Sequence, residues 1–249
     1  MSLIQVKNII KTFKDGDKET RVLKGIDFSA EKGEWISIMG RSGAGKSTLM
    51  YQMSLLDDPT SGEISLFGKD TENMSADDKT NFRLNELGYV FQDYALLPDL
   101  SALENVAVPL MMQGKSKTNA YAQAKISLDR VGLGHRLDNL PSQLSGGEQQ
   151  RTAIARALAH HPKVLFADEP TANLDNESSK TVMQLFQEVH KQGQTIIMVT
   201  HEEEYSQLSE RIVLLDDGMV VSDNPTSPQL RQGFDGQVEL RGARKAGQI

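Results

Sequence analysis

The 249-residue sequence contains no cysteine, which excludes a disulfide framework and a thiolate metal site and fits a reducing compartment. Long hydrophobic runs are missing too. The longest near-apolar runs, such as Val106 to Met112 and Ile196 to Val199, fall far short of the roughly 18 residues that a membrane span needs. The chain is therefore not expected to cross a bilayer by itself. Its first residues, MSLIQVKNIIKTF, lack an apolar stretch followed by a small-residue cleavage site, so no secretory signal is expected. Nor is there an excess of base: 27 Lys+Arg stand against 34 Asp+Glu, a formal charge of −7, which argues against nucleic acid as a partner. No fixed-period repeat and no strongly low-complexity tract is present. What remains, with 38% hydrophobic residues, is a chain able to bury a substantial core as one large domain or two small ones.

Residues 1–92 are rich in β pattern. Ile4, Val6, Asn8 and Ile10 alternate with Gln5, Lys7 and Ile9, as a strand does, and the polar segment DGDKET with Gly16 reads as a hairpin turn. Short β-rich runs at Ile26–Ser29, Trp35–Met39, Glu63–Phe67 and Tyr89–Phe91 follow, with a single helix expected after Gly45. Residues 93–160 change to helical periods. Ser101 with Glu104, and Ser145 with Glu148, are capping boxes, and between them Tyr121, Ala124, Leu128 and Val131 recur on one helix face. This region is expected to form a helical insert. Residues 161–222 return to alternation: strands at Val164–Ala167 and Thr195–Thr200 flank an amphipathic helix through Val182, Leu185, Phe186 and Val189. A terminal hairpin is expected around Asp217-Gly218. Buried strands separated by helices predict a mainly parallel sheet covered on both faces, an α/β fold with an antiparallel β part at its N-terminal side. Residues 223–249 are polar and are expected to be a surface extension, partly disordered.

The sharpest local feature is Gly40-Arg41-Ser42-Gly43-Ala44-Gly45-Lys46-Ser47-Thr48, a P-loop pattern that follows the apolar strand WISIM and precedes a helix bearing Leu49, Met53 and Leu56 on one face. Gly40, Gly43 and Gly45 leave room for backbone N–H groups, with that of Ser42, to surround a phosphate oxygen, and the helix start adds partial positive charge. Lys46 would reach the β- and γ-phosphates, Ser47 would offer its hydroxyl to Mg²⁺, and Thr48 completes the motif. These residues point to a P-loop NTPase core. A second acidic element, Asp168-Glu169, ends the apolar strand Val164–Ala167. Asp168 there suits Mg²⁺ and Glu169 suits a base that polarises water, although adjacent acids are also common in solvated loops. Leu144-Ser145-Gly146-Gly147-Glu148-Gln149-Gln150-Arg151 opens a helix with two glycines and a capping serine, a second place where N–H groups can meet an anion.

Together, GRSGAGKST, Gln92 in Val90-Phe91-Gln92-Asp93, LSGGEQQR, VLFADEP, Asn173-Leu174-Asp175 and His201 after an apolar strand resemble the nucleotide-binding subunit of ATP-binding cassette (ABC) transporters. The resemblance covers roughly residues 1 to 222, and LSGGEQQR is rarely found outside this family. It implies an ATPase that works with Mg²⁺ as a head-to-tail pair of identical subunits. Ser145, Gly146 and Gly147 of one copy would meet the γ-phosphate held by the P-loop of the other. It further implies that Gln92 contacts Mg²⁺ or the attacking water, that Glu169 is the general base, that His201 touches the γ-phosphate, and that Asp175 lies in the loop linking the two sites. In this family an aromatic near the end of the first strand stacks on adenine, and Phe13 is the candidate; a loosely packed Phe13 is the alternative. His135, His160, His161 and His190 read as surface or helix-terminal residues.

A chain without a span implies a separate transmembrane permease and a cytoplasmic place at the inner or plasma membrane. The family places the permease contact after Gln92, here roughly Tyr94 to Asn105, where Leu96, Leu97 and Leu100 are either apolar contacts or core under the insert. LLDDPTSGEISLFGKD and VTHEEEYSQLSERIVLLDDG resemble the branch with lipoprotein-releasing, macrolide-export and antimicrobial-peptide-resistance ATPases. A non-transport cassette such as a cell-division regulator and a P-loop small-molecule kinase are the alternatives.

Overall fold

The computed structural model of the chain describes residues 2–16 and 18–227. In chain order the elements are β1 (Ile4–Asp15), β2 (Lys18–Ala30), β3 (Trp35–Met39), α1 (Lys46–Met53), β4 (Ser61–Leu66), β5 (Lys69–Asp70), α2 (Ala76–Glu86), β6 (Leu87–Val90), α3 (Ala102–Met112) and α4 (Lys117–Arg130). A 3-10 turn at Pro141–Gln143 leads into α5 (Gly146–Leu158), β7 (Val164–Asp168), α6 (Asn176–Lys191), β8 (Thr195–Val199), α7 (Glu203–Ser206), β9 (Arg211–Asp216) and β10 (Met219–Pro225).

Two sheets result. The strands β2-β1-β4-β5 form an antiparallel sheet, and β10-β9-β3-β8-β7-β6 form a second in which only the edge strand β10 runs antiparallel. The difference follows from residue pattern. At the start of β1, Ile4 and Val6 are buried while Gln5 and Lys7 are exposed, as in a sheet with one wet face, whereas β7 and β8 are buried at every position, as a parallel sheet covered on both sides requires. The β9–β10 hairpin closes through Asp217 (φ 43°) and Gly218 (φ 74°), the positive-φ pair that a tight hairpin turn demands.

Alternate residues of the central strands feed two cores. Leu165, Ala167, Ile196 and Met198 pack with Trp35, Leu110, Leu128, Ile154 and Phe186 on the helical side; Val164, Phe166, Ile197 and Val199 pack with Ile4, Leu23, Ile38 and Leu49 on the β side. Each fully buried Val, Leu, Ile, Met or Phe among them contributes roughly 1.5–3 kcal/mol relative to exposure. The capping boxes at Ser101 and Ser145 begin α3 and α5 as their spacing predicts.

Three details differ from the sequence expectation. The first part contains a second helix, α2, which buries only Phe82 and so carries almost no apolar period; a Ser75–Asp78 capping box starts it instead. The helix after Gly45 stops at Met53, because Leu55 turns left-handed (φ 60°), and Leu56 emerges 43% exposed rather than sharing the buried face. Strand β10 continues to Pro225. Most of the extension expected at 223–249 lies outside the described residues.

Because β6, β7, β8 and β3 are parallel, their carboxyl ends share one edge of the sheet. Gln92 follows β6, Asp168 ends β7, His201 follows β8, and the loop from Gly40 follows β3. Open α/β sheets bind their ligands at this edge.

Candidate active site

Gly40 leaves β3 with φ 148°, and a Cβ there would stand 2.2 Å from the carbonyl oxygen of Leu215, so no other residue fits. The chain then turns through Gly43 and Gly45, the latter left-handed (φ 97°) at the N-cap of α1, with no side-chain cap on the helix. The first amides of α1 are left for an anion. Lys46 is 7% exposed, and its ammonium donates to the carbonyl oxygens of Gly40 (2.9 Å) and Arg41 (3.0 Å). Its charge is thus held over the loop, ready to exchange carbonyl partners for phosphate oxygens.

Ser47 Oγ donates to Asp168 Oδ1 at 3.0 Å. Burial pushes the Asp168 carboxyl above the ordinary aspartate value; the Ser47 hydrogen bond opposes this, the neighbouring Glu169 reinforces it and Lys46 opposes it. Hydroxyl and carboxylate are hard oxygen donors that suit Mg²⁺. Among the described residues no group of three or more His, Cys, Asp or Glu could hold a metal alone.

Glu169 sits at φ 44°, a left-handed conformation that costs ~1–3 kcal/mol in a non-glycine residue. Its amide donates to Val199 O (2.9 Å), which pins it to the end of β8, and Oε2 lies 3.1 Å from His201 Nδ1. A second tie joins the same two loops: Thr171 Oγ1 donates to Glu202 Oε1 (2.6 Å), and the Glu202 amide donates to Thr200 Oγ1 (3.1 Å). Fully buried Gln150 donates from Nε2 to Pro170 O (2.7 Å), next to Glu169 in the chain. Sequence reasoning missed Thr171, Glu202 and Gln150, because these bonds span 20 to 31 residues and leave no period in the chain.

Gln92 is exposed, and its carbonyl accepts from Asn173 Nδ2 (3.0 Å). Ser145 caps α5: its Oγ accepts from the Glu148 amide (3.3 Å) and Glu148 Oε2 accepts from the Ser145 amide (2.8 Å), which with Arg136 holds the Glu148 carboxyl below its usual range. A Cβ on Gly146 would meet Tyr94 Oη at 3.0 Å and one on Gly147 would meet Ser178 Oγ at 2.7 Å. The signature residues therefore pack beside Tyr94 and α6 rather than on their own P-loop. Asp175 caps α6, accepting from the amides of Glu177 (3.0 Å) and Ser178 (2.9 Å), and these bonds keep its carboxyl ionised to lower pH than usual. Phe13 is 47% exposed near the end of β1, with Lys11 Nζ 5.0 Å from its ring centre. Of the other histidines, His160 is half-buried with Nε2 3.0 Å from Leu87 O, and His190 meets Trp35 edge-on at 5.6 Å.

A cleft of about 1210 Å³ lies elsewhere, at the start of β7 and β8, lined by Phe67, Arg130, Leu158, Lys163 and Thr195. Volume and chemistry disagree, and the convergent polar groups make the carboxyl edge the candidate site.

The family model described as ABC transporter matches residues 23–172. The chain is 45% identical over 228 residues to the lipoprotein-releasing system ATP-binding protein LolD of Shewanella frigidimarina, covering 91% of this chain and 95% of that protein. It is 47% identical over 219 residues to an uncharacterized ABC transporter ATP-binding protein, MJ1508, of Methanocaldococcus jannaschii, covering 88% and 98%. Against the macrolide export ATP-binding/permease protein MacB of Chlorobaculum tepidum the identity is 42%, over 93% of this chain but 36% of that protein. Its fold is similar to the dimeric ATP-binding cassette MJ0796 in a post-hydrolysis state bound to ADP and Pi, with a TM-score of 0.84, 37% identity, and coverage of 93% of this chain and all of that one.

Proposed function

The chain belongs to the ABC transporter family, and from that premise we propose how its residues divide the work of an ATP-binding subunit. It binds and hydrolyses ATP with Mg²⁺, works as a homodimer, and acts with a transmembrane permease, in the branch of the lipoprotein-releasing and macrolide-export ATPases. The comparisons favour this over a small-molecule kinase or a non-transport cassette. The observation that carries the residue roles is the joining of two pairs, Ser47 with Asp168 and Glu169 with His201, at the edge where the P-loop opens.

The α1 amides and the Lys46 ammonium take the β- and γ-phosphates, with Gly40, Ser42, Gly43, Gly45 and Thr48 shaping the cradle. Ser47 and Asp168 would hold Mg²⁺, which would supply positive charge against the negative charge that develops on the phosphate oxygens. Glu169 takes the proton of the attacking water. With His201 Nδ1 directed to Glu169, the other ring nitrogen is left for the γ-phosphate. Gln92 orients the water or the metal. Ser145, Gly146 and Gly147, at a helix start whose first amides have no intrahelical partner, meet the γ-phosphate held by the second copy. Asp175 keeps the loop between the sites in shape by capping α6, and the exposed ring of Phe13 stacks on adenine.

The division into an ATP-binding core, residues 1–92 and 161–222, and a helical insert, residues 93–160, belongs to the same proposal. So does the docking of the permease on the segment after Gln92. There Asn105 accepts from the Leu97 amide (2.7 Å) and donates to the carbonyls of Leu97, Leu100 and Ser101, so the backbone is shaped independently of the leucine side chains. Leu97 stands 48% exposed, while Leu96 and Leu100 are half-buried. Among the described residues no helix is long and apolar enough to cross a membrane; attachment to the cytoplasmic face through the permease is the reading proposed.

Titration with labelled ATP and steady-state hydrolysis test these roles. Lys46→Ala should lose binding, whereas His201→Ala should keep binding and lose hydrolysis. Wild-type turnover by His201→Ala would sink the assignment.

A further inference from the structure

Helix α5 begins at the signature serine and carries Arg156 in its last turn. The side chain does not stay on its own helix. Nη1 donates to Ala95 O (2.5 Å) and Nη2 to Tyr94 O (2.8 Å), 61 and 62 residues earlier in the chain. Both acceptors belong to residues in the left-handed region, Tyr94 at φ 63° and Ala95 at φ 47°. Two consecutive side-chain-bearing residues persist there only where the surroundings impose it. A last-turn cation that merely complements the helix dipole would bond the carbonyls of α5 itself; this guanidinium spends two donors, in fork geometry, on another segment.

That segment is the one that presents Gln92. Its other side is tied to the loop after β7, where Asn173 Nδ2 donates to Gln92 O (3.0 Å) and Tyr94 Oη donates to Asn173 O (3.3 Å). The position of Gln92 is therefore set from two directions, by Asn173 near the base and by Arg156 from the signature helix. Asp93 adds attraction for the guanidinium, which burial would otherwise disfavour.

We propose that Arg156 is a positioning residue for Gln92. It holds the carbonyls of Tyr94 and Ala95, fixes the left-handed turn behind Gln92, and couples that turn to the helix whose other end carries Ser145. The inference rests on the catalytic reading of Gln92 given above.

Steady-state hydrolysis of Mg·ATP by the full chain tests it. Arg156→Met should lower kcat by ~10- to 100-fold while KM for ATP moves by less than about twofold, since misplacement of a positioned group acts on the chemical step. Arg156→Lys, which keeps the charge and a donor, should recover part of that loss. In a Gln92→Ala background, Arg156→Met should cost less than about a further twofold, because both substitutions remove one function. Losses that multiply across the two sites would overturn the inference, as would a raised KM with unchanged kcat. Should Arg156→Met fail to fold, the same cycle is run with Arg156→Lys. A Gln92→Ala chain with wild-type kcat would overturn the reading of Gln92, and the inference with it; an impaired one with multiplying losses overturns the inference alone.

Discussion

Replacing Asp168 by Asn should make the nucleotide-free chain more stable while abolishing its Mg²⁺-dependent ATPase activity. Asp168 is 5% exposed at the end of β7, and its folded-state pKa is raised by burial first, with Ser47 opposing, Glu169 adding and Lys46 opposing. A carboxyl whose folded value lies above its unfolded value favours folding fully below the unfolded value, and that contribution is lost as pH rises through the folded value. At neutral pH the ionised Asp168 therefore weakens the empty fold. Asn has the same shape and keeps an oxygen for the Ser47 hydroxyl, now 3.0 Å from Oδ1, without the charge. Removing a buried charge falls in the ~0.5–3 kcal/mol range of single substitutions, and ~1 kcal/mol moves the midpoint of a chain of this size by roughly 2–4 °C. Thermal unfolding followed by circular dichroism in EDTA, from below the ordinary aspartate pKa of about 3.9 to neutral pH, reads the difference. The Asn chain should gain a few degrees at neutral pH and nothing at the acid end. A less stable Asn chain at neutral pH, or a gain that does not depend on pH, would show that the ionised Asp168 does not weaken the empty fold.

Two further substitutions have defined outcomes. Gly147→Ala should destabilise by ~1–3 kcal/mol through overpacking, despite the ~1 kcal/mol that alanine gains over glycine in a helix. Its Cβ would lie 2.7 Å from Ser178 Oγ, which Asp175 already holds at 2.8 Å; a higher urea midpoint would contradict this. Leu97→Glu should release the chain from its permease in pull-down from detergent-solubilised membranes while labelled ATP still binds, and lost ATP binding would instead make Leu97 a core residue.

How much of this could be read from the sequence depends on the reach of each signal. The loop from Gly40 to Thr48 and the capping boxes at Ser101 and Ser145 are local, because their bonds close within a few residues. The parallel sheet could be read because β7 and β8 are apolar at nearly every position. Helix α2 could not, since a helix that buries one phenylalanine has no period. The ties between the loops of the proposed site were invisible for another reason. Thr171 to Glu202, Gln150 to the Pro170 carbonyl and Arg156 to the Tyr94 carbonyl join groups far apart in sequence, and nothing local distinguishes Thr171, Gln150 or Arg156 from solvated surface residues. Residue types reveal which groups do chemistry, whereas the bonds that hold those groups emerge only once the strands are side by side.

Glu169 is the proposed base of an ATP site completed by a second copy of the chain. Glu169→Gln keeps the side-chain shape beside His201 but cannot take the proton from water. Its molar mass in solution, by light scattering with and without Mg·ATP, is the most direct test. A stable dimer that appears only with Mg·ATP and no longer hydrolyses it is expected. A monomer that still turns over ATP would contradict both the base and the shared site.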